Sequence, residues 1–131
     1  MSTTTNRRPA RKSRLSAEQI AVCEARALFE TVKADCVAED IRRGITYPEG
    51  MTLEEETAMD LAAHEIRVER GYYLARQAVI AAERAVVAWC IEHAKRYSPT
   101  HAALLVDVQA RAERSAVYGP KLVELAMRLA T

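Results

Sequence analysis

The stretch LEEETAMDLAAHEIRVERGYYLARQAVIAAERAVVAWCIEHAKRY, residues 53–97, contains no proline and a single glycine. Apolar residues recur in it at helical spacing along two lines. Leu61, Val68, Tyr72, Ala75, Val79, Ala82, Val86 and Trp89 form one, and Met59, Ala63, Ile66, Tyr73, Ile80, Val87, Ile91 and Ala94 the other. A helix with one apolar stripe faces one neighbour, so two stripes predict a central helix with partners on two sides. At 1.5 Å per residue that helix would be about 65 Å long, too long for any one neighbour to cover. Gly71 interrupts it at a cost of about 1 kcal/mol relative to alanine, which marks a kink or a close helix crossing.

Towards the N-terminus, residues 44–51 hold Gly44, Pro48 and Gly50 and read as a turn. Thr52 with Glu55 has the spacing of a capping box, and Glu54, Glu55 and Glu56 place negative charge at the positive end of the helix that follows. A first helix is expected from Ser16, which forms a capping box with Gln19, to about Arg43, with Gly44 stopping it. Towards the C-terminus, Ser98-Pro99 ends the long helix and caps the next, residues 100–118, with Leu104, Leu105, Val108 and Ala112 inward. Gly119-Pro120 then precedes a short last helix carrying Leu122, Leu125, Ala126 and Leu129.

The chain is half hydrophobic yet only 5% aromatic, with four glycines in 131 residues, a palette of Ala, Val, Leu and Ile that suits close-packed helices. The expected fold is therefore all-α: an elongated three-to-four-helix bundle with a long central helix 2 and a disordered basic N-terminal arm. Residues 1–14 form the arm, and residues 15–131 a single helical domain.

Charge is unevenly placed. Arg7, Arg8, Arg11, Lys12 and Arg14 lie in the arm without an acid among them, while the whole chain has a net charge of +1, leaving the body mildly acidic. An anionic partner such as nucleic acid would have to be met by the arm, through phosphates and with strong salt dependence. No export signal or membrane-length apolar run is present, and Cys23, Cys36 and Cys90, odd in number and widely spaced, suit a reducing cytoplasm better than a disulfide framework.

Catalytic patterns are missing. No glutamate stands three residues before His64, His93 or His101, as a di-iron bundle requires, and His64-Glu65 lacks the second histidine of a zinc-protease helix. Asp60 and His64, four apart, read as an exposed ion pair rather than a metal site or proton relay. The cysteines include no Cys-x-x-Cys pair and none beside a basic cluster. Trp89, His93, Tyr97 and His101 make an aromatic and imidazole group whose plain reading is a core anchor with polar tips in water. No cofactor and no metal are expected.

Helix 1 also carries two apolar groups: Ala21, Ala25, Leu28, Val32 and Cys36, and on the other side Ile20, Cys23, Ala27, Ala34, Val37 and Ile41. Helix 2 can bury only one of them. The surplus predicts an intermolecular contact, placed on Ala21, Ala25, Leu28, Val32 and Cys36, with a protein partner or a homodimer as occupant. The expected function is a non-enzymatic adaptor, assembly factor or inhibitor of a larger, nucleic-acid-processing or other, complex. The alternatives are a dimeric regulator binding phosphates through the arm, and an enzyme with a helical pocket near Trp89, His93 and His101.

Overall fold

The computed structural model describes the backbone of residues 10–115 and 118–130, and the side chains of residues 17–114 and 118–130. Among these residues the chain forms five helices and no strand: α1 (Ala10–Arg42), α2 (Leu53–Glu69), α3 (Tyr72–Tyr97), α4 (Pro99–Ser115) and α5 (Pro120–Ala130). The all-α expectation holds, while the three-to-four-helix count is corrected to five.

The correction lies at Gly71. Its φ of 77° is left-handed, a conformation open to glycine at little steric cost, and it stops α2 instead of kinking it. The Arg70 and Gly71 amides donate back to the Ile66 and Val68 carbonyls (2.9 and 3.3 Å), and the Gly71 carbonyl then accepts from Ala75, opening α3. The predicted long helix 2 is therefore two helices, and its first stripe changes character at the break: Leu61 and Val68 stand exposed at 61% and 59%, whereas Val86 is fully buried; the second is buried on both sides, at Ile66 on α2 and at Val87, Ile91 and Ala94 on α3.

Other boundaries follow from local chemistry. At the end of α1 the Ile45 amide donates to the Asp40 carbonyl (2.9 Å) and the Gly44 amide to the Ile41 carbonyl (3.1 Å), the paired bonds of a Schellman stop, with Gly44 at φ 76°. Thr52 caps α2 in a complete capping box: the Glu55 amide donates to Thr52 Oγ1 (3.1 Å) and the Thr52 amide to Glu55 Oε1 (2.9 Å). Hydrogen bonds to the Glu55 carboxylate from the Thr52 amide and then its hydroxyl hold that carboxyl below its ordinary pKa.

The start of α1 differs from expectation. The arm's residues 1–9, with Arg7 and Arg8, lie outside the described residues, but Arg11, Lys12 and Arg14 belong to α1, and Ser16 is inside the helix rather than capping it. Ala10, Arg11, Lys12, Arg14 and Leu15 are all good helix formers, with no breaker among them, so their propensity overrides the local capping pattern.

The chain divides into two compact units. Unit 1 comprises Met1–Glu24 with Val79–Thr131, and unit 2 comprises Ala25–Ala78. Unit 1 has a conventional apolar core of Val22, Val86, Val87, Cys90, Ile91, Ala94, Ala102, Leu105, Ala112, Tyr118, Val123, Ala126 and Ala130. Small side chains at Ala94, Ala102, Ala112 and Ala126 suit close helix approach. Unit 2 buries far less: Cys36, Glu39, Ile66 and Ala75.

Candidate functional site

Unit 2 is crossed by a network of charged side chains. Glu39 on α1 is 4% exposed and is met by three guanidinium groups: Arg42, Arg43 (2.6 Å) and Arg70 (3.0 Å). Arg70 also pairs with Asp35 (3.0 Å), and Arg43 with Glu69 (3.0 Å). At the next position of α1, Asp40 takes a two-pronged bond from Arg67 (3.0 and 2.9 Å), whose guanidinium also donates to the Ala63 carbonyl (2.9 Å). Hydrogen bonds from Arg42 and Arg43, opposed by burial and reinforced by the charges of Arg42 and Arg70, lower the Glu39 pKa to about 2. A buried carboxylate is tolerable only when its oxygens are occupied in this way.

An aromatic row adds to the network. Phe29 meets Tyr72 edge-on at 5.2 Å between ring centres, Tyr72 meets Tyr73 at 5.1 Å, and His64 lies 5.4 Å from Tyr73 with Nδ1 3.0 Å from its hydroxyl. Asp60 is not the partner of His64: it accepts from the Tyr47 hydroxyl (2.8 Å), so the expected Asp60–His64 pair is replaced by two aromatic contacts. The ring hydroxyls reach these polar tips from outside α2, and spacing within the helix gave no sign of them.

With the arginine network and the Phe29–Tyr72 contact on one side of α1, the opposite side is left to solvent. The partner stripe expected from sequence is split by this arrangement. Cys36 is fully buried, Ala25 and Val32 are half-buried, and only Ala21 and Leu28 (56%) are exposed. Cys36 therefore cannot be a partner contact, and its burial raises the thiol pKa. The other stripe is the exposed one. In unit 2 it comprises Ala27, Ala34, Val37 (52%) and Ile41 (74%), and in unit 1 Ile20 (58%) and Cys23. Unit 2 also exposes Leu53 (79%), Leu61 and Val68 on α2 and Leu74 (79%) on α3.

In unit 1, Trp89, His93 and Tyr97 stack along one line of α3, with ring centres 5.0 and 4.8 Å apart and Trp89 nearly parallel to His93 (9°). Trp89 packs against the core, as an anchor should. His101 is not in this row: its Nδ1 lies 3.0 Å from the Leu129 carbonyl at the far end of α5. The sequence group of two aromatic side chains and two imidazoles thus resolves into a three-ring stack and a separate helix-end contact.

A second charged cluster lies beside the unit 1 core. Arg84 makes a two-pronged bond to Glu113 (2.6 and 3.1 Å), the Tyr118 hydroxyl donates to the same carboxylate, and Arg84 sits 5.4 Å from the Tyr118 ring centre. Hydrogen bonds from Arg84 and then Tyr118 lower the Glu113 pKa.

Among the described residues no three His, Cys, Asp or Glu side chains come together as a metal set, and no helix is long and apolar enough to cross a membrane. Burial pushes the Cys90 thiol up to about 11, which keeps it protonated at neutral pH and unsuited to nucleophilic attack. What the geometry offers is surface: apolar helical faces on a unit that also carries a network of ion pairs. Comparison with protein-family models, curated proteins and solved structures returns no match for the chain.

Proposed function

We propose that the protein is a non-enzymatic interaction module, an adaptor, assembly factor or inhibitor of a larger complex, that engages partners through the helical faces of unit 2. The observation that carries this reading is the exposure of Leu28, Val37, Ile41, Leu53, Leu61, Val68 and Leu74 on one 54-residue segment whose buried set is four residues. Extended apolar surface on a small helical unit is costly in water and is characteristic of surfaces that become covered. Replacement of a large core by ion pairs fits the same role, because the apolar side chains that would fill such a core are turned outward. The partner classes range from a structural protein to a nucleic-acid-processing assembly.

The test is affinity capture with the full chain, run with and without nuclease. Wild type is compared with Leu61→Glu/Val68→Glu, with Leu28→Glu, and with a variant whose Arg7, Arg8, Arg11, Lys12 and Arg14 are glutamine. The expected result is one defined protein complex, retained after nuclease and by the arm variant, and lost from a face variant whose circular dichroism is unchanged. Material lost on nuclease treatment and with the arm variant would overturn the reading in favour of phosphate binding by the arm.

A further inference from the structure

Helix α2 has an apolar line on each of two opposite sides. Met59, Ala62 and Ile66 turn inward, with Ile66 fully buried. On the other side Leu53 (79%), Thr57, Leu61 (61%), His64 and Val68 (59%) are all exposed, and they recur at intervals of four, four, three and four. That is the repeat by which one helix lays a seam against another. A helix that packs on a single neighbour needs only the inner line.

The margins of the outer seam carry one sign of charge. Glu54, Glu65 and Glu69 follow it on one side, Glu56 and Asp60 on the other. Glu54, Glu56 and Glu65 meet no cation among the described residues, Asp60 takes the neutral Tyr47 hydroxyl, and Glu69 shares Arg43 with Glu39. The one basic residue of α2, Arg67, is turned onto Asp40. Acids in the first turn complement the helix dipole, but that effect fades within a turn and does not account for Asp60 or Glu65. Unit 2 as a whole holds eleven Asp and Glu against seven Lys and Arg.

These charges exclude a second copy offering the same seam, whichever way it runs. In a parallel pair each margin meets the opposite margin, in an antiparallel pair its own kind, and every such meeting sets acid against acid. An occupant must keep the apolar repeat and reverse the sign. We propose that this side of α2 docks a basic amphipathic helix of another protein, with aliphatic residues at seam spacing and Lys or Arg along both margins. The proposal rests on the reading of unit 2 as an interaction module and names the chemistry of its partner. Residues 53–68 extend about 24 Å, and a helix pair of that length buries on the order of 1,000 Å² in total. That is the lower end for a specific interface, so dissociation is in the micromolar range and weakens further with salt.

The probes are two fluorescent synthetic peptides of about three heptads, identical in their leucine seam, one with lysine and one with glutamate at the flanking positions. Binding to the full chain is read by anisotropy. Wild type should bind the lysine peptide at least about tenfold more tightly than the glutamate peptide. Leu61→Ser/Val68→Ser, which leaves the charges in place, should lose that binding with unchanged circular dichroism. Glu56→Lys/Glu65→Lys should reverse the preference; Glu65→Lys alone, beyond the first turn, should weaken lysine-peptide binding even if the double change disturbs the start of α2. Equal binding of both peptides, binding that survives the serine variant, or a preference that survives charge reversal would each overturn the proposal. So would self-association of wild type that the serine variant abolishes, because another copy would then occupy the seam. If neither peptide binds while affinity capture still depends on Leu61 and Val68, the basic helix is refuted and the interaction module stands.

Discussion

The two units solve the same problem with different materials. Unit 1 gathers Val86, Val87, Cys90, Leu105 and Ala126 into a core from which water is absent, whereas unit 2 ties Glu39, Arg42, Arg43, Arg70, Asp40 and Arg67 together and leaves its leucines outside. Apolar burial is non-directional and tolerates small adjustments, while a buried carboxylate with three guanidinium partners demands its geometry. The lesson is that helical content says little about where stability resides. Both units are mostly helical, yet the polar contacts of unit 2 centre on ion pairs while the buried residues of unit 1 are almost all apolar.

The contrast can be broken most forcefully in unit 1. Leu105→Ala removes a fully buried side chain and should cost about 2–5 kcal/mol, read as a lowered midpoint of chemical denaturation followed by Trp89 fluorescence. If the loss is negligible, the unit 1 core is not what holds that unit. Leu61→Ala, at a side chain already 61% exposed, should fall within about 0.5 kcal/mol of wild type.

The second prediction addresses the ionic side. Glu39→Gln leaves Arg42, Arg43 and Arg70 without their shared acceptor and should speed amide exchange in α2 on the order of tenfold, with the unit 1 core little changed. Acid should do the same reversibly. Because the Glu39 pKa is lowered from 4.5 to about 2, its stabilisation is complete above the unfolded value and is lost as pH falls from about 4.5 through 2. Glu113 makes unit 1 acid-sensitive in the same direction, so the discriminating readout is exchange resolved by segment. Acid sensitivity of α2 that persists unchanged in Glu39→Gln would remove Glu39 from the account.

Smaller effects sharpen the boundaries of unit 2. Gly71→Ala forces a Cβ into a left-handed conformation and should destabilise by about 1 kcal/mol, although nothing lies within 4 Å of the added carbon. A neutral result would show that the chain can resume one continuous helix there. Thr52→Ala removes the cap of α2 and should cost about 0.5–1 kcal/mol, seen as faster exchange of the Glu55 amide.

What was legible in sequence was local. The Thr52–Glu55 box, the Gly44 stop and the break between helices at Ser98-Pro99 each depend on a few neighbouring residues and stand where the sequence placed them. Gly71 was visible as an anomaly, but whether a helix glycine bends the chain or ends it depends on packing that periodicity does not encode. The two faces of α1 were equally apolar, so hydropathy could not choose between them; the choice fell to Glu39 and Asp40, whose partners Arg70 and Arg67 lie about 30 residues away. Carboxylates in a helix read as solvated by default, which is why the ionic centre of unit 2 escaped notice.

Unit 2 is one uninterrupted segment, while unit 1 is assembled from both sides of it. Val22 shares a core with Val86 and Val87, more than 60 residues further on. During synthesis, α1 and α2 can close their arginine and carboxylate contacts as soon as Arg70 leaves the ribosome, whereas Val22 must wait with its apolar surface uncovered. A contiguous unit closes shorter loops than one assembled from both sides of it, so the loop-closure cost of unit 1 falls once Ala25 and Ala78 belong to one compact body.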